Sequence, residues 1–232
     1  MAPMTRIDDL RTNLSQVRER IAAVEAAAGR EAGSVQLLPV TKFHPAADIA
    51  LLAELGITDV GENREQEARA KSGELPGLNF HMIGQIQTKK ANSVARWASA
   101  CHSVGTVKLV EALDRGVRNA LDSGSRTKAL ECFIQWSVDG DLSRGGAVES
   151  DLPELADAVR ATDGLTLAGL MVVPPIGADP GEVFRNAKAL VDGLGEGLRL
   201  SAGMSGDMEA AISSGSDIVR VGTDILGPRP VA

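Results

Sequence analysis

A lysine closes the apolar run Leu37-Leu38-Pro39-Val40-Thr41-Lys42. Gly33-Ser34 precede this run and Phe43-His44-Pro45 follow it, so it reads as a buried strand bounded by turns. A lysine at such a strand exit suits two roles. It caps the strand with its ammonium in water, or it is a desolvated amine that attacks an aldehyde and forms an imine. The second role needs a means of holding the aldehyde. Two later stretches supply one for a phosphorylated aldehyde: Ser201-Ala202-Gly203-Met204-Ser205 and Val219-Arg220-Val221-Gly222-Thr223. Each ends in small residues, a hydroxyl and backbone N–H groups at an expected helix start. Ser205 is expected to cap a helix beginning near Gly206, and Thr223 the next turn. Such N–H groups cradle anions. Ser and Thr also cap helices that bind nothing, and Gly also marks plain turns. Asp207 would sit in the same first turn and repel an anion unless its side chain points away.

These residues form one site only if the fold brings them together. Ile7, Leu10, Leu14, Val17, Ile21 and Val24 recur at steps of three and four, predicting an amphipathic helix over about 4–29 that Gly29 ends. After it, eight short apolar strands are expected, at 37–42, 57–60, 80–84, 100–104, 129–138, 167–173, 198–204 and 217–222. Helical patterns separate them, among them 46–55, 64–71, 86–98 and one from Asp151, where Glu154 suggests a capping box. Alternation of this kind predicts a parallel sheet with crossover helices. Eight units over about 35–229 suit a closed (β/α)8 barrel, with an open doubly wound sheet as the alternative.

A barrel would gather the chemistry on its C-terminal rim, where phosphate commonly sits after strands seven and eight. Closure sets strand one beside strand eight, so Lys42 would emerge next to Arg220, Gly222 and Thr223, with Asn63 arriving from strand two. Arg220 would then favour imine formation by lowering the lysine's proton affinity. His81, at a strand end, either lines this rim or is a hydrogen-bonded structural histidine, and His44 and His102 are taken as structural or exposed.

Composition narrows the partners. The chain has 232 residues, 44% hydrophobic and 24% charged, and a formal net charge of −7. With no Lys/Arg block, general binding to nucleic acid is not expected. Cys101 and Cys132 lack metal spacing and read as core residues in a reducing compartment. The start, Met1-Ala2-Pro3-Met4-Thr5-Arg6, has no apolar segment of signal-peptide type, and the apolar run from Leu165 to Pro175 is too short to span a membrane. A cytoplasmic protein is expected.

Several motifs in order along the chain resemble the pyridoxal phosphate homeostasis protein family. They are Val40-Thr41-Lys42, Gly61-Glu62-Asn63-Arg64-Glu65-Gln66-Glu67, Phe80-His81-Met82-Ile83-Gly84-Gln85-Ile86-Gln87, Gly169-Leu170-Met171, Gly203-Met204-Ser205-Gly206-Asp207 and Val219-Arg220-Val221-Gly222-Thr223-Asp224-Ile225-Leu226-Gly227. The resemblance implies a single-domain TIM barrel of the alanine racemase N-terminal type over residues 1–232, with an extra N-terminal helix. It implies pyridoxal 5′-phosphate held as a Schiff base on Lys42, and a site completed by Asn63. Ser205, Gly222, Thr223 and the Met204 backbone would hold the phosphate, and Arg220 would face the pyridine nitrogen, which weakens the ring as an electron sink. The sequence departs from the family at Leu142-Ser143-Arg144-Gly145 and at Gln87-Thr88-Lys89-Lys90. Both departures keep or add positive charge.

Racemisation on this fold needs a base on each face of the substrate, and in the full-length racemases the second is a tyrosine from an additional domain. This sequence contains no tyrosine; His81 or Cys132 would have to substitute. The expectation is therefore a monomeric cofactor carrier without catalytic residues or a metal, whose partners are pyridoxal phosphate and the apo-enzymes that use it. A weak amino-acid racemase is the alternative, and a cofactor-free Schiff-base aldolase a third.

Overall fold

The computed structural model describes residues 5–229, so the expected helix start at Met4 and the outermost residues of the 1–232 domain lie outside it. The first helix, α1 (Arg6–Ala27), buries Leu10, Leu14, Val17 and Ile21 along one stripe. At its far end the buried Glu25 accepts hydrogen bonds from the backbone N–H groups of Gly33 (3.0 Å) and Val35 (2.8 Å), which turns the chain into the first strand.

Strands and helices then alternate without exception. β1 (Gln36–Pro39), α2 (Ala46–Glu54), β2 (Asp59–Glu62), α3 (Glu65–Glu74), β3 (Asn79–Met82) and α4 (Ala91–Trp97) form the first half with β4 (Ala98–Val104). The second half contains α5 (Val107–Asp122), β5 (Leu130–Trp136), α6 (Leu152–Arg160), β6 (Leu165–Val172), α7 (Pro180–Leu194), β7 (Arg199–Ser201), α8 (Met208–Ser213), β8 (Ile218–Val221) and α9 (Thr223–Leu226). All eight strands are parallel, in the order β1-β8-β7-β6-β5-β4-β3-β2. β1 runs beside β8 over four residues, from Gln36 opposite Ile218 to Pro39 opposite Val221. The ring is completed by one bridge, Val40 to Gly61, where the Thr41 N–H also donates to the Gly61 carbonyl at 2.9 Å. This nearly closed barrel excludes the open doubly wound alternative.

Strands buried on both faces read as continuous apolar runs, which is why all eight were visible in the sequence. Their outer faces pack on the helices. α1 covers the outside of the seam between β1 and its neighbours, where Leu14 and Ile21 join Ile49, Val60, Ile212, Val219 and Ile225 in one cluster. Leu38, Ala100, Phe133, Met171 and Ile218 fill the barrel interior.

Some expected boundaries move. The helix expected over 86–98 is a 3-10 turn, Thr88–Lys90, followed by α4. The Asp151 capping box is absent: Asp151 ends the 3-10 turn Glu149–Asp151 in a helical conformation, so its side chain is not placed to accept from the next turn. β7 is three residues long, shorter than the expected 198–204, although Ala202 and Gly203 (φ +94°) beyond it still bond to β8, through the Ala202 N–H to the Ile218 carbonyl (3.0 Å) and the Arg220 N–H to the Gly203 carbonyl (2.9 Å). Among the described residues no helix is long and apolar enough to cross a membrane, and no group of His, Cys, Asp and Glu side chains is arranged to hold a metal ion.

Candidate functional site

Lys42 stands just past β1 at the C-terminal rim, in a turn closed by the His44 N–H donating to the Thr41 carbonyl at 3.1 Å. It is half-buried, and among the described residues its Nζ makes no hydrogen bond or ion pair. Its neighbours are tightly held. Lys71, buried on α3, donates from Nζ to the Thr41 carbonyl (3.0 Å), Glu62 (2.7 Å) and Glu67 (2.6 Å). The Thr41 hydroxyl donates to Glu62 Oε1 (2.6 Å), and the Phe43 N–H donates to Glu67 Oε1 (2.8 Å). The residues on both sides of Lys42 are thus tied to one buried charge cluster. Burial raises the Glu62 carboxyl above its usual range, against the opposing pull of Lys71 and Thr41.

Phe43 adopts φ +70°, an uncommon conformation for a bulky residue. Two guanidinium groups lie over its ring, with Arg229 Cζ 4.2 Å and Arg64 Cζ 5.2 Å from the centroid. This cation–π stack sits beside the lysine on the rim.

Arg220 is buried in β8. It donates to Ser201 Oγ (2.7 Å) and the Val172 carbonyl (2.9 Å), and burial brings its proton affinity down to about 10 against the attraction of Asp207. Those bonds use two of a guanidinium's five N–H donors. The guanidinium remains cationic near neutrality.

The two rim loops differ from expectation in their caps. α8 starts at Met208 with Asp207 as its N-cap, so Ser205 is not the cap. A turn from Met204 to Asp207 intervenes: the Asp207 N–H donates to the Met204 carbonyl (3.1 Å), and Asp207 Oδ1 accepts from the Met204 N–H (2.6 Å). The Ser205 hydroxyl has no partner among the described residues. The Asp207 carboxylate therefore occupies the backbone donor that the resemblance assigns to a phosphate. In the second loop Gly222 is the N-cap, and Thr223 is the exposed first residue of α9 instead of its cap. A Cβ on Gly222 would lie 3.3 Å from the Val40 carbonyl, so this loop lies directly against the exit of β1.

Asn63 follows β2 on the rim, exposed, and lines a cavity of about 210 Å³ with Gly84, Gln135, Arg144 and Met171. Gly84 makes room for it: a Cβ there would fall 2.1 Å from the Asn63 carbonyl oxygen. The structure thus brings Lys42, Asn63, Ser205, Arg220, Gly222 and Thr223 to one end of the barrel.

Neither suggested second base reaches that end. His81 lies inside the barrel, bonded to Asp59 and His102, which corrects the rim placement in favour of the structural one. Cys132 is buried in the core cluster that the sheet forms with the helices, which also contains Leu113 and Leu155, and burial pushes its thiol well above its ordinary range. His102 and His44 are buried. Sequence reasoning missed the Lys71–Glu62–Glu67 cluster. Its one local signal is the spacing of Glu67 and Lys71, four apart on a helix, which usually marks a surface pair.

The model of the alanine racemase N-terminal domain matches residues 12–230. A pyridoxal phosphate homeostasis protein of Corynebacterium glutamicum is 58% identical over 221 residues, covering 93% of this chain and all (100%) of that one. PipY of Synechococcus elongatus is 32% identical in both of its solved structures. The structure without pyridoxal phosphate superposes with a TM-score of 0.77 over 90% of this chain and 99% of its own. The structure with pyridoxal phosphate bound gives 0.76 over 91% and 100%. This chain belongs to the pyridoxal phosphate homeostasis protein family, within the alanine racemase N-terminal domain family.

Proposed function

We propose that this chain binds pyridoxal 5′-phosphate at the barrel rim through Lys42 and serves the cell's cofactor supply without efficient turnover. The observation that carries this reading is Lys42 itself: a half-buried amine with no partner among the described residues, clamped through both neighbouring residues, in a chain 58% identical to a pyridoxal phosphate homeostasis protein.

The residues present fit the group. Among the described residues, buried Arg220 keeps N–H donors without partners and the Ser205 hydroxyl is unpartnered. Ser205, Gly222 and Thr223 would hold the phosphate, with the Met204 N–H joining once Asp207 releases it. Asn63 and Arg220 would border the ring. Lys42 would hold the aldehyde carbon covalently. When bound, the cofactor supplies an electrophilic ring that stabilises negative charge on carbon attached to its imine. The Arg220 guanidinium, bordering the ring, would disfavour protonation of its nitrogen and so limit that capacity.

Efficient racemisation would require a proton acceptor on the face opposite Lys42, and neither His81 nor Cys132 lies on the rim. The carrier reading therefore stands ahead of the racemase reading. The protein would work as a cytoplasmic monomer that exchanges cofactor with apo-enzymes.

The test is direct. Protein mixed with pyridoxal phosphate should absorb in the visible, and borohydride should attach a reduced pyridoxyl phosphate to the peptide carrying Lys42. An unmodified Lys42 peptide overturns the cofactor reading. Amino-acid racemisation well above free cofactor, lost in Lys42→Ala, overturns the carrier reading.

A further inference from the structure

A file of polar side chains runs through the barrel interior beneath Arg220. Arg220 Nη1 lies 2.7 Å from Ser201 Oγ, and Ser201 Oγ lies 2.9 Å from His102 Nδ1. His102 Nε2 lies 3.1 Å from His81 Nδ1, and His81 Nε2 lies 3.0 Å from Asp59 Oδ1. The file crosses four strands, β8, β7, β4 and β3, and ends on β2 at the opposite, N-terminal opening of the barrel. Ser201 and His102 are fully buried, and His102 also stacks on Phe133 with ring centroids 4.3 Å apart.

With one proton on each imidazole, the donor-only guanidinium and the acceptor-only carboxylate at the ends of the file give the bonds one direction. A guanidinium can only donate, so Ser201 Oγ accepts from Arg220. Ser201 has one hydroxyl proton, and His102 Nδ1 is its remaining partner in the file. A neutral His102 then carries its proton on Nε2 and donates to His81 Nδ1. His81 in turn donates from Nε2 to Asp59, which as a carboxylate can only accept.

The surroundings agree. Burial drives the His102 imidazolium well below its usual range, and the Arg220 and Arg199 cations add to this. Burial alone would raise the Asp59 carboxyl, but the bonds from His81 and Thr58 outweigh it and keep it ionised. Arg199, which lines the same cavity as Asp59 and His81 together with Arg96, Arg126 and Lys128, is paired with Glu131.

We propose that Asp59, His81, His102 and Ser201 are positioning residues: one directed hydrogen-bond chain, with the Nε2–H of each histidine donating and its Nδ1 accepting, that holds Arg220 in place at the rim. The chain orients Arg220 whether or not a ligand is present. Its effect on a cofactor rests on the function proposed above.

The test uses the full chain with 15N-labelled histidine and no cofactor. The sequence has three histidines, and His44→Gln removes the one outside the file. Long-range 1H–15N correlation should show the Nε2–H tautomer at both His81 and His102. In Asp59→Leu the acceptor end is gone, and the His102 ring signals should move although His102 does not touch Asp59. Asp59→Asn, which keeps a carbonyl acceptor, should restore them. An Nδ1–H tautomer at His102 in the unmodified protein overturns the proposal and needs no variant to fold. A folded Asp59→Leu protein with His102 signals unchanged overturns it as well. With pyridoxal phosphate added, Ser201→Ala should bind about fivefold more weakly, the loss of one net hydrogen bond's worth of orientation. Failure of every form to bind cofactor while the tautomers stand would overturn the proposed function and leave the chain intact.

Discussion

Lys71 Nζ lies 3.0 Å from the carbonyl oxygen of Thr41, the residue before Lys42. One lysine, buried and paired with two carboxylates, therefore fixes the backbone from which a second lysine, without a partner among the described residues, projects. The same strand exit keeps one amine fully bonded and leaves the other available.

Replacing Lys71 should be felt in stability first. Lys71→Met strands Glu62 in the core and frees the Thr41 carbonyl. Removing one partner of a buried ion pair typically costs about 3 kcal/mol or more. Urea denaturation should show that loss, and Lys42 modification by borohydride-trapped cofactor should slow with it. Unchanged stability would mean the cluster contributes little to the rim.

Glu25 provides a pH test. Burial would raise its carboxyl, but the Gly33 and Val35 N–H groups prevail and hold it below its ordinary value of 4.5. An acid depressed in the folded state stabilises the fold above its unfolded value, and that contribution fades as pH falls. Stability should therefore decline below about pH 4.5, and Glu25→Gln should flatten that part of the curve measured by thermal melts at several pH values.

Ser205→Ala removes a hydroxyl assigned to the phosphate. A hydrogen bond to a charged group is worth ~1.5–3 kcal/mol, so pyridoxal phosphate affinity should fall roughly tenfold to a hundredfold. Equal affinity in a fluorescence titration would place the phosphate elsewhere.

Asp207→Ala should act in the other direction. It frees the Met204 N–H and takes a carboxylate away from Arg220. Calorimetric titration should show pyridoxal phosphate binding about fivefold tighter, the value of one added neutral donor. Weaker binding would mean that Asp207 shapes the loop more than it blocks it.

The barrel was legible in the sequence because parallel strands covered on both faces are continuous apolar runs, and helices with one buried stripe separate them. Lys42, Arg220 and the two small-residue loops were legible because closure adjoins β1 and β8, as the structure shows. The caps were not. Ser205 and Asp207 are both good cap residues, and only the Met204–Asp207 turn decides between them. The orientation of Cys132 was hidden by the register shift between Cys132 and Phe133. Lys71 looked like one cation among many on a charged helix, and its burial comes from Glu62 and Thr41, which helical periodicity does not register.

The place of α1 bears on how the chain is made. Asn13 donates to the Ile225 carbonyl and Arg20 pairs with Asp224, across 212 and 204 residues of sequence. Leu10 and Leu14 share a cluster with Met208, Ile212 and Leu226. α1 thus leaves the ribosome before every strand of the barrel, while much of the surface it covers belongs to α8, β8 and α9, the last of the described elements. Until that surface arrives the apolar stripe of α1 stays partly uncovered, and contacts at this separation are among the slowest to form. The helix that seals the barrel's seam is consequently docked late, and truncations near the C-terminus would leave it without its main partner.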